Sequence, residues 1–170
     1  MEIEVKLKYK NKGVIIAWLK QNGFKLTENK EIRDSYFGLG CNSMADIDCF
    51  YRIRNVVGKL TELTLKDAFQ NKNGIVTRRE INIAIDDPDK MMTVLKSLKC
   101  LLIKENFSKR EIWEKGEIRF EFINFSKPAK LNIIEIEGPD NEIIETLIKD
   151  LGDKVEVAGN EIFSVFDTKS

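Results

Sequence analysis

Histidine is absent from this chain of 170 residues, and the omission removes a large part of enzyme chemistry. A Ser-His-Asp or Cys-His nucleophile would have no base, and no imidazole is available to ligate a metal. Any metal must then be held by oxygen. Cysteine is scarce as well. Cys41, Cys49 and Cys100 are odd in number and show no CxxC spacing, which argues against a disulfide framework and for a reducing, cytoplasmic setting. No run of about 18 apolar residues occurs, so no membrane-spanning helix is expected. The first residues carry acid from Glu2 onward and lack the apolar stretch of a signal peptide. An excess charge of one sign is also missing. Lysine plus arginine number 28 and aspartate plus glutamate 28, so no net field recommends nucleic acid or an anionic membrane as a partner.

What remains is a chain of single-domain size, residues 1–170, with no repeat, low-complexity stretch or Pro/Gly-rich linker to divide it. At this length roughly two-thirds of the unfolded surface leaves water on folding, so neither disulfides nor a structural metal is needed. Residues 2–10 alternate strictly, with Glu2, Glu4, Lys6 and Lys8 on one face and Ile3, Val5, Leu7 and Tyr9 on the other. That pattern predicts a strand with one charged face. Residues 12–22 predict an amphipathic helix stopped by Gly23. Strands are expected near 24–37, 48–58, 60–69 and 75–85, followed by a helix over 88–99 started by Asp87 and Pro88. Three more strands are expected at 101–114, 117–125 and 131–138, a helix at 140–151, and a short helix at 159–167. The expected architecture is α+β: eight strands in an all-antiparallel meander, with helices outside.

The same alternation recurs along the chain. Arg52 and Arg54 share a face, as do Glu62, Thr64 and Lys66, then Arg78, Glu80 and Asn82, then Arg119 and Glu121, then Glu135 and Glu137. A half-buried sheet also turns a polar face to water, and any single strand could be read that way. The set is harder to read so. These faces are dominated by Arg, Glu and Lys, where a solvated face usually mixes Thr, Ser, Gln and Lys, and two of them pair carboxylates. Side chains two apart on a strand lie about 7 Å from each other. There two carboxylates repel by ~0.6 kcal/mol in water and ~2.4 kcal/mol at an effective dielectric of 20. Two such pairs converging on one space call for a cation. The apolar faces meanwhile need cover, which helices can supply only from outside a closed sheet. The charges then point inward, into an eight-stranded antiparallel β-barrel with a charged interior. Basic groups in such a tunnel suit phosphoryl oxygens, and the acids suit Mg²⁺ or Mn²⁺ bridging to the same oxygens.

Glu2-Ile3-Glu4-Val5-Lys6 resembles the ExExK signature of the CYTH superfamily, the triphosphate tunnel metalloenzymes named for class IV adenylate cyclases and thiamine triphosphatases. Further elements follow in the family's order across residues 2–138. Asp34-Ser35-Tyr36-Phe37 is similar to D-x-Y, Tyr51-Arg52-Ile53-Arg54 to LRIR, and Leu63-Thr64-Leu65-Lys66 to LTxK. Arg78-Arg79-Glu80 is similar to R-x-E, Lys109 to Trp113 to K-R-x-x-(Y/W), and Glu135-Ile136-Glu137 to the closing EIE. The resemblance implies Glu2, Glu4, Glu135 and Glu137 as ligands of Mg²⁺ or Mn²⁺. It implies Lys6, Arg52, Arg54, Lys66, Arg78 and Arg110 as the triphosphate clamp, to which the shared face of Arg119 and Glu121 adds a cation and a ligand. The family often has an aspartate before EIE, where this chain has Asn124 with Glu121 as the nearest acid, and Asn82 ends its R-x-E-x-E. Both departures bear on a second metal.

The implied activity is metal-dependent hydrolysis of an inorganic or organic triphosphate such as tripolyphosphate, ATP or thiamine triphosphate. Cyclisation of ATP to cyclic AMP is the rival, and a triphosphate- or polyphosphate-binding module without turnover is a third reading. One cation is expected on Glu135 and Glu137 and a second near Glu2 and Glu4. Lys6, among arginines, is expected to have a lowered pKa and so to be a candidate base. Tyr36 is a candidate for orienting the nucleophile. Trp18 and Trp113 read as packing residues, and 127–130 as a solvated loop. An exposed apolar edge would permit a homodimer.

Overall fold

The computed structural model describes residues 1–40, 49–59 and 61–158. The strand β1 (Glu2–Tyr9) follows the alternation expected of it and leads through Asn11 into helix α1 (Lys12–Gln21). The Asn11 side chain caps that helix by accepting from the Gly13 and Val14 amides at 2.9 and 3.4 Å. Strands β2 (Lys25–Leu39), β3 (Phe50–Val56), β4 (Thr61–Lys72) and β5 (Ile75–Ile85) follow. The β4–β5 hairpin turns on Asn73 and Gly74, both at positive φ, 55° and 86°, as a two-residue hairpin of this twist requires. Helix α2 (Pro88–Ser97) starts where Asp87 accepts from the Lys90 amide at 2.9 Å with Pro88 in the first turn. Strands β6 (Cys100–Lys115), β7 (Ile118–Lys127) and β8 (Leu131–Glu137) lead to helix α3 (Asn141–Leu151), capped by Asp140 on the Ile143 amide at 2.8 Å.

Every pairing is antiparallel, and the sheet closes in the order β5-β4-β3-β2-β6-β7-β8-β1, with β1 joined to β5. The expected eight-stranded barrel is therefore present, but it is not a simple meander. β2 to β5 form one meander and β6 to β8 another, joined by the long β2–β6 pairing, while β1 is set between β8 and β5. Alternation along a strand fixes which face a side chain takes but says nothing about which strand lies alongside, and that is why the order was not legible. A short ninth strand, β9 (Val155–Val157), pairs with Leu7–Tyr9 where β5 no longer accompanies β1. Three residues carry too little pattern to be read as a strand. The helix expected at 159–167 lies outside the described residues.

The main apolar core is outside the barrel wall, as the inward charges demand. Val5, Leu7, Phe120, Phe122, Ile134 and Ile136 turn outward from β1, β7 and β8 and bury against Ile15 and Leu19 of α1 and Ile144, Leu147 and Leu151 of α3. Trp113 belongs to this core and Trp18 packs on its edge. α2 covers a smaller cluster of Phe37, Ile53, Ile85, Leu95 and Cys100. No helix among the described residues is long and apolar enough to cross a membrane.

Candidate metal and triphosphate tunnel

The pleat that buries Val5 and Leu7 outside sends Glu2, Glu4 and Lys6 inward. On the neighbouring strands Phe120 and Ile136 turn out, so Arg119, Glu121, Glu135 and Glu137 turn in. The register sets Glu4 beside Glu137, Lys6 beside Glu135, Glu121 beside Glu135 and Arg119 beside Glu137. Two groups of carboxylates result, each with oxygens within 4.8 Å of one another: Glu2, Glu4 and Glu137, and Glu121, Glu135 and Glu137. All five predicted acids are thus brought together, in a grouping different from the expected pairs. Glu137 is common to both sets.

This donor set fits a hard divalent cation. Its ligands are carboxylate oxygens alone, and without a cation the like charges hold one another off. Burial and then the Glu135 carboxylate push the Glu137 pKa up to about 7, against the pull of Arg119, with Glu121 and Glu2 adding to the rise. Burial and a hydrogen bond with Glu80 raise Glu2 as well. Glu135 behaves in the opposite way. Burial works against its charge, yet Lys6 and Arg110 hold it well below the usual carboxylate range.

Lys6 does not behave as expected. It bridges Glu4 and Glu135, the latter at 2.7 Å. Burial alone would lower its pKa, but these two carboxylates outweigh burial and raise it well above the ordinary lysine value. The candidate base is instead a fixed ammonium, because its nearest neighbours are acids rather than the arginines. The tunnel lysine with a lowered pKa is Lys30, where burial with Arg119 and Arg54 outweighs Glu121 and Glu28.

The remaining cations come mainly from β3 to β6. Lys66 meets Glu80 and, at 3.1 Å, Glu2. Buried Arg52 donates to Thr64 at 3.0 Å and lies 3.6 Å from Glu62. Arg54 is forked onto Asp34 at 2.8 and 2.9 Å. Arg110 reaches Asp34 at 3.3 Å and Glu121 at 3.1 Å. Arg119 lies 3.3 Å from Glu137 and 3.6 Å from Glu121. Buried Arg78 is set between the rings of Phe50 and Phe69, at 5.6 and 5.1 Å, and its Nε has no partner. Orphaned donors of this kind, shared by Arg52 Nε, suit an incoming anion. The Tyr36 hydroxyl points to Asp34 at 3.4 Å, and among the described residues no contact ties it to the carboxylate groups.

Sequence reasoning left Asp34, Glu80 and Lys30 out of the site residues, although it put Glu80 on an inward charged face with Arg78. Asp34 and Glu80 stood in quoted motifs, and their place on the inward face was the signal that could have found them. Asn124 and Asn82 are exposed, outside the cluster, and Glu121 takes the interior position. A cavity of about 870 Å³ touches Lys30 and Arg110, but it is lined largely by outward groups such as Lys109, Glu111, Phe122 and Asn124 and does not reach the carboxylate groups.

A closed antiparallel barrel, helices on its outer wall, and carboxylates interleaved with arginine and lysine inside define a charged tunnel whose acids could hold a metal. A family model described as the CYTH domain matches residues 1–161, and the chain belongs to that family, whose members are metal-dependent enzymes with triphosphate substrates. A Methanocaldococcus jannaschii protein, provisionally named an adenylate cyclase, is 31% identical over 118 residues, which span 69% of this chain and 66% of that protein. Among solved structures, a Pyrococcus horikoshii protein superposes with a TM-score of 0.77 at 22% identity, covering 96% of this chain and 99% of its own. A Hippeastrum protein provisionally named an adenylyl cyclase, and described as revealing a dominant triphosphatase activity, superposes with a TM-score of 0.73 at 19% identity over 98% and 95% of the two chains. These two likenesses bear on the fold.

Proposed function

We propose that the chain hydrolyses triphosphates inside the barrel. The observation that carries this reading is the direct contact of the two charge sets, with Lys6, Lys66, Arg110 and Arg119 each against a carboxylate of the Glu2, Glu4, Glu121, Glu135 and Glu137 groups. Arg52, Arg54, Lys66, Arg78, Arg110 and Arg119 bind the phosphoryl oxygens, the guanidiniums offering planar donor pairs. Lys6 holds Glu4 and Glu135 in place rather than moving a proton. Glu2, Glu4 and Glu137, and Glu121, Glu135 and Glu137, would hold Mg²⁺ or Mn²⁺, which neutralises phosphate charge and lowers the pKa of bound water. Phosphoryl transfer needs little covalent help, so positioning and charge suffice.

The name of the Methanocaldococcus relative favours a second reading, cyclisation of ATP. A cyclase must also hold adenine and ribose so that the 3′-hydroxyl lies in line with the α-phosphate, whereas hydrolysis asks only for the clamp. One preparation assayed for phosphate release and cyclic AMP, on tripolyphosphate, ATP, GTP and thiamine triphosphate with Mg²⁺ or Mn²⁺, separates the two. Hydrolysis gives orthophosphate, with affinities for ATP, GTP and tripolyphosphate within about tenfold, or ~1.4 kcal/mol. Equal amounts of pyrophosphate and cyclic AMP from ATP, with GTP inert, would hand the tunnel to the cyclase reading.

A further inference from the structure

Asp34 has none of its surface exposed, yet two arginines and a tyrosine hydroxyl hydrogen-bond to it. Arg54 grips it with a fork, Nε donating to Oδ1 at 2.8 Å and Nη2 to Oδ2 at 2.9 Å. The same Oδ2 accepts from Arg110 Nη2 at 3.3 Å and from the Tyr36 hydroxyl at 3.4 Å. The other end of Arg110 donates from Nη1 to Glu121 at 3.1 Å, so a continuous line runs from Arg54 through Asp34 and Arg110 into one of the carboxylate groups.

A desolvated ion pair is a poor device for stability, since apolar side chains of similar volume often serve as well. It is a good device for orientation. The fork uses two of the five N–H donors of Arg54 and fixes the plane of the guanidinium that carries the rest. Arg110 is fixed likewise by having its two terminal nitrogens on different carboxylates. Asp34 is fully buried with both arginines against it, and so it acts on a bound anion through them.

We infer that Asp34 is a positioning residue, which sets the guanidinium planes of Arg54 and Arg110 for a triphosphate and ties that setting to Glu121. The inference rests on the triphosphate reading of the tunnel. Arginines already held in place give up less freedom when the anion binds.

Calorimetric titration with tripolyphosphate in excess chelator tests it on wild type, Asp34→Asn, Arg54→Met and the double variant, with thermal melts confirming that each is folded. Asp34→Asn is expected to weaken binding by roughly 10- to 100-fold, the scale of a misplaced contact group. The double variant should lose much less than the product of the two single losses, because Asp34 acts through Arg54. A merely structural Asp34 would lower the melting temperature and leave affinity within about threefold. That result, tighter binding by Asp34→Asn, or single losses that multiply, would overturn the inference. If Asp34→Asn melts too low to titrate, arginine side-chain NMR on wild type decides. The Arg54 Nε–H signal should keep its shift and slow exchange when tripolyphosphate is added, while a shift reporting release from Asp34 to the ligand refutes the positioning role. Wild type that binds no tripolyphosphate either in chelator or with Mg²⁺ supplied sinks the triphosphate reading itself. Wild type that binds and an Asp34→Asn that binds equally well sink this inference alone.

Discussion

The two halves of the barrel wall are built differently. The acid-bearing strands β1, β7 and β8 are backed by α1 and α3 and a continuous core in which Val5, Leu7, Phe120, Ile134 and Ile136 are fully buried. The cation-bearing strands β4 and β5 leave Ile81 and Ile83 on their outer face 45% and 54% exposed. The physical demand differs in the same sense. Carboxylates that repel must be held together against their own field, and stiff packing behind them adds to what Lys6, Arg110 and Arg119 do there. Arginine and lysine reach their partners on long side chains and tolerate a softer wall.

The sharpest way to break this comparison is to hollow out each wall. Phe120→Ala should lower unfolding stability by about 3–5 kcal/mol, measured by urea denaturation. Ile83→Ala, in the other wall, should stay within about 0.5 kcal/mol of wild type. Equal losses would mean that the walls are equally stiff. Next in size, Glu137→Gln should cut metal-dependent turnover by on the order of 10²–10³-fold, since Glu137 belongs to both carboxylate groups, and should leave the far-ultraviolet dichroism unchanged. Activity near wild type would place the metal elsewhere.

On the cation side, Arg54→Ala should weaken tripolyphosphate binding by ~1.5–3 kcal/mol, while neutralising exposed Lys72 should change it less than about threefold. Similar small effects at both would return these charges to a solvated sheet face. The smallest effect is in pH. Glu137 is raised to about 7, so between its ordinary value and about 7 the folded, metal-free protein binds more protons than the unfolded chain. Stability therefore falls as pH rises through that window, and the melting temperature in chelator should drop between pH 5 and 7.5. Excess Mg²⁺ should recover more at pH 7.5 than at pH 5. A chelated melting curve that rises over this range would contradict the shift.

Much of the architecture was legible because strict alternation, as in Glu2-Ile3-Glu4-Val5-Lys6, reports a face directly. The eight barrel strands and the helices expected at 12–22, 88–99 and 140–151 were found with shifts of a few residues, and the five candidate acids do converge. What alternation cannot report is the neighbour across the ladder. That is why the position of β1 between β5 and β8 was missed, and why Lys6 was expected among arginines rather than between Glu4 and Glu135. Asp34 was passed over for a similar reason. It stands beside Ser35 and Tyr36 as an ordinary motif acid, and its weight comes from Arg54 and Arg110, distant in the chain.

The setting of β1 between β5 and β8 bears on how the molecule is made. Val5 pairs with Ile75 on one side and Ile136 on the other. The strand β1 therefore has both of its neighbours only once β8, far along the chain, exists to receive it. Closing loops of that length is slow relative to forming hairpins such as β4–β5. Until then the two outer edges, β5 and β8, stand open with unpaired backbone groups, a state prone to pairing with another chain. Refolding should show early hairpin structure and a late step that completes the tunnel, and mutations in β1 that weaken its pairing should chiefly slow that late step.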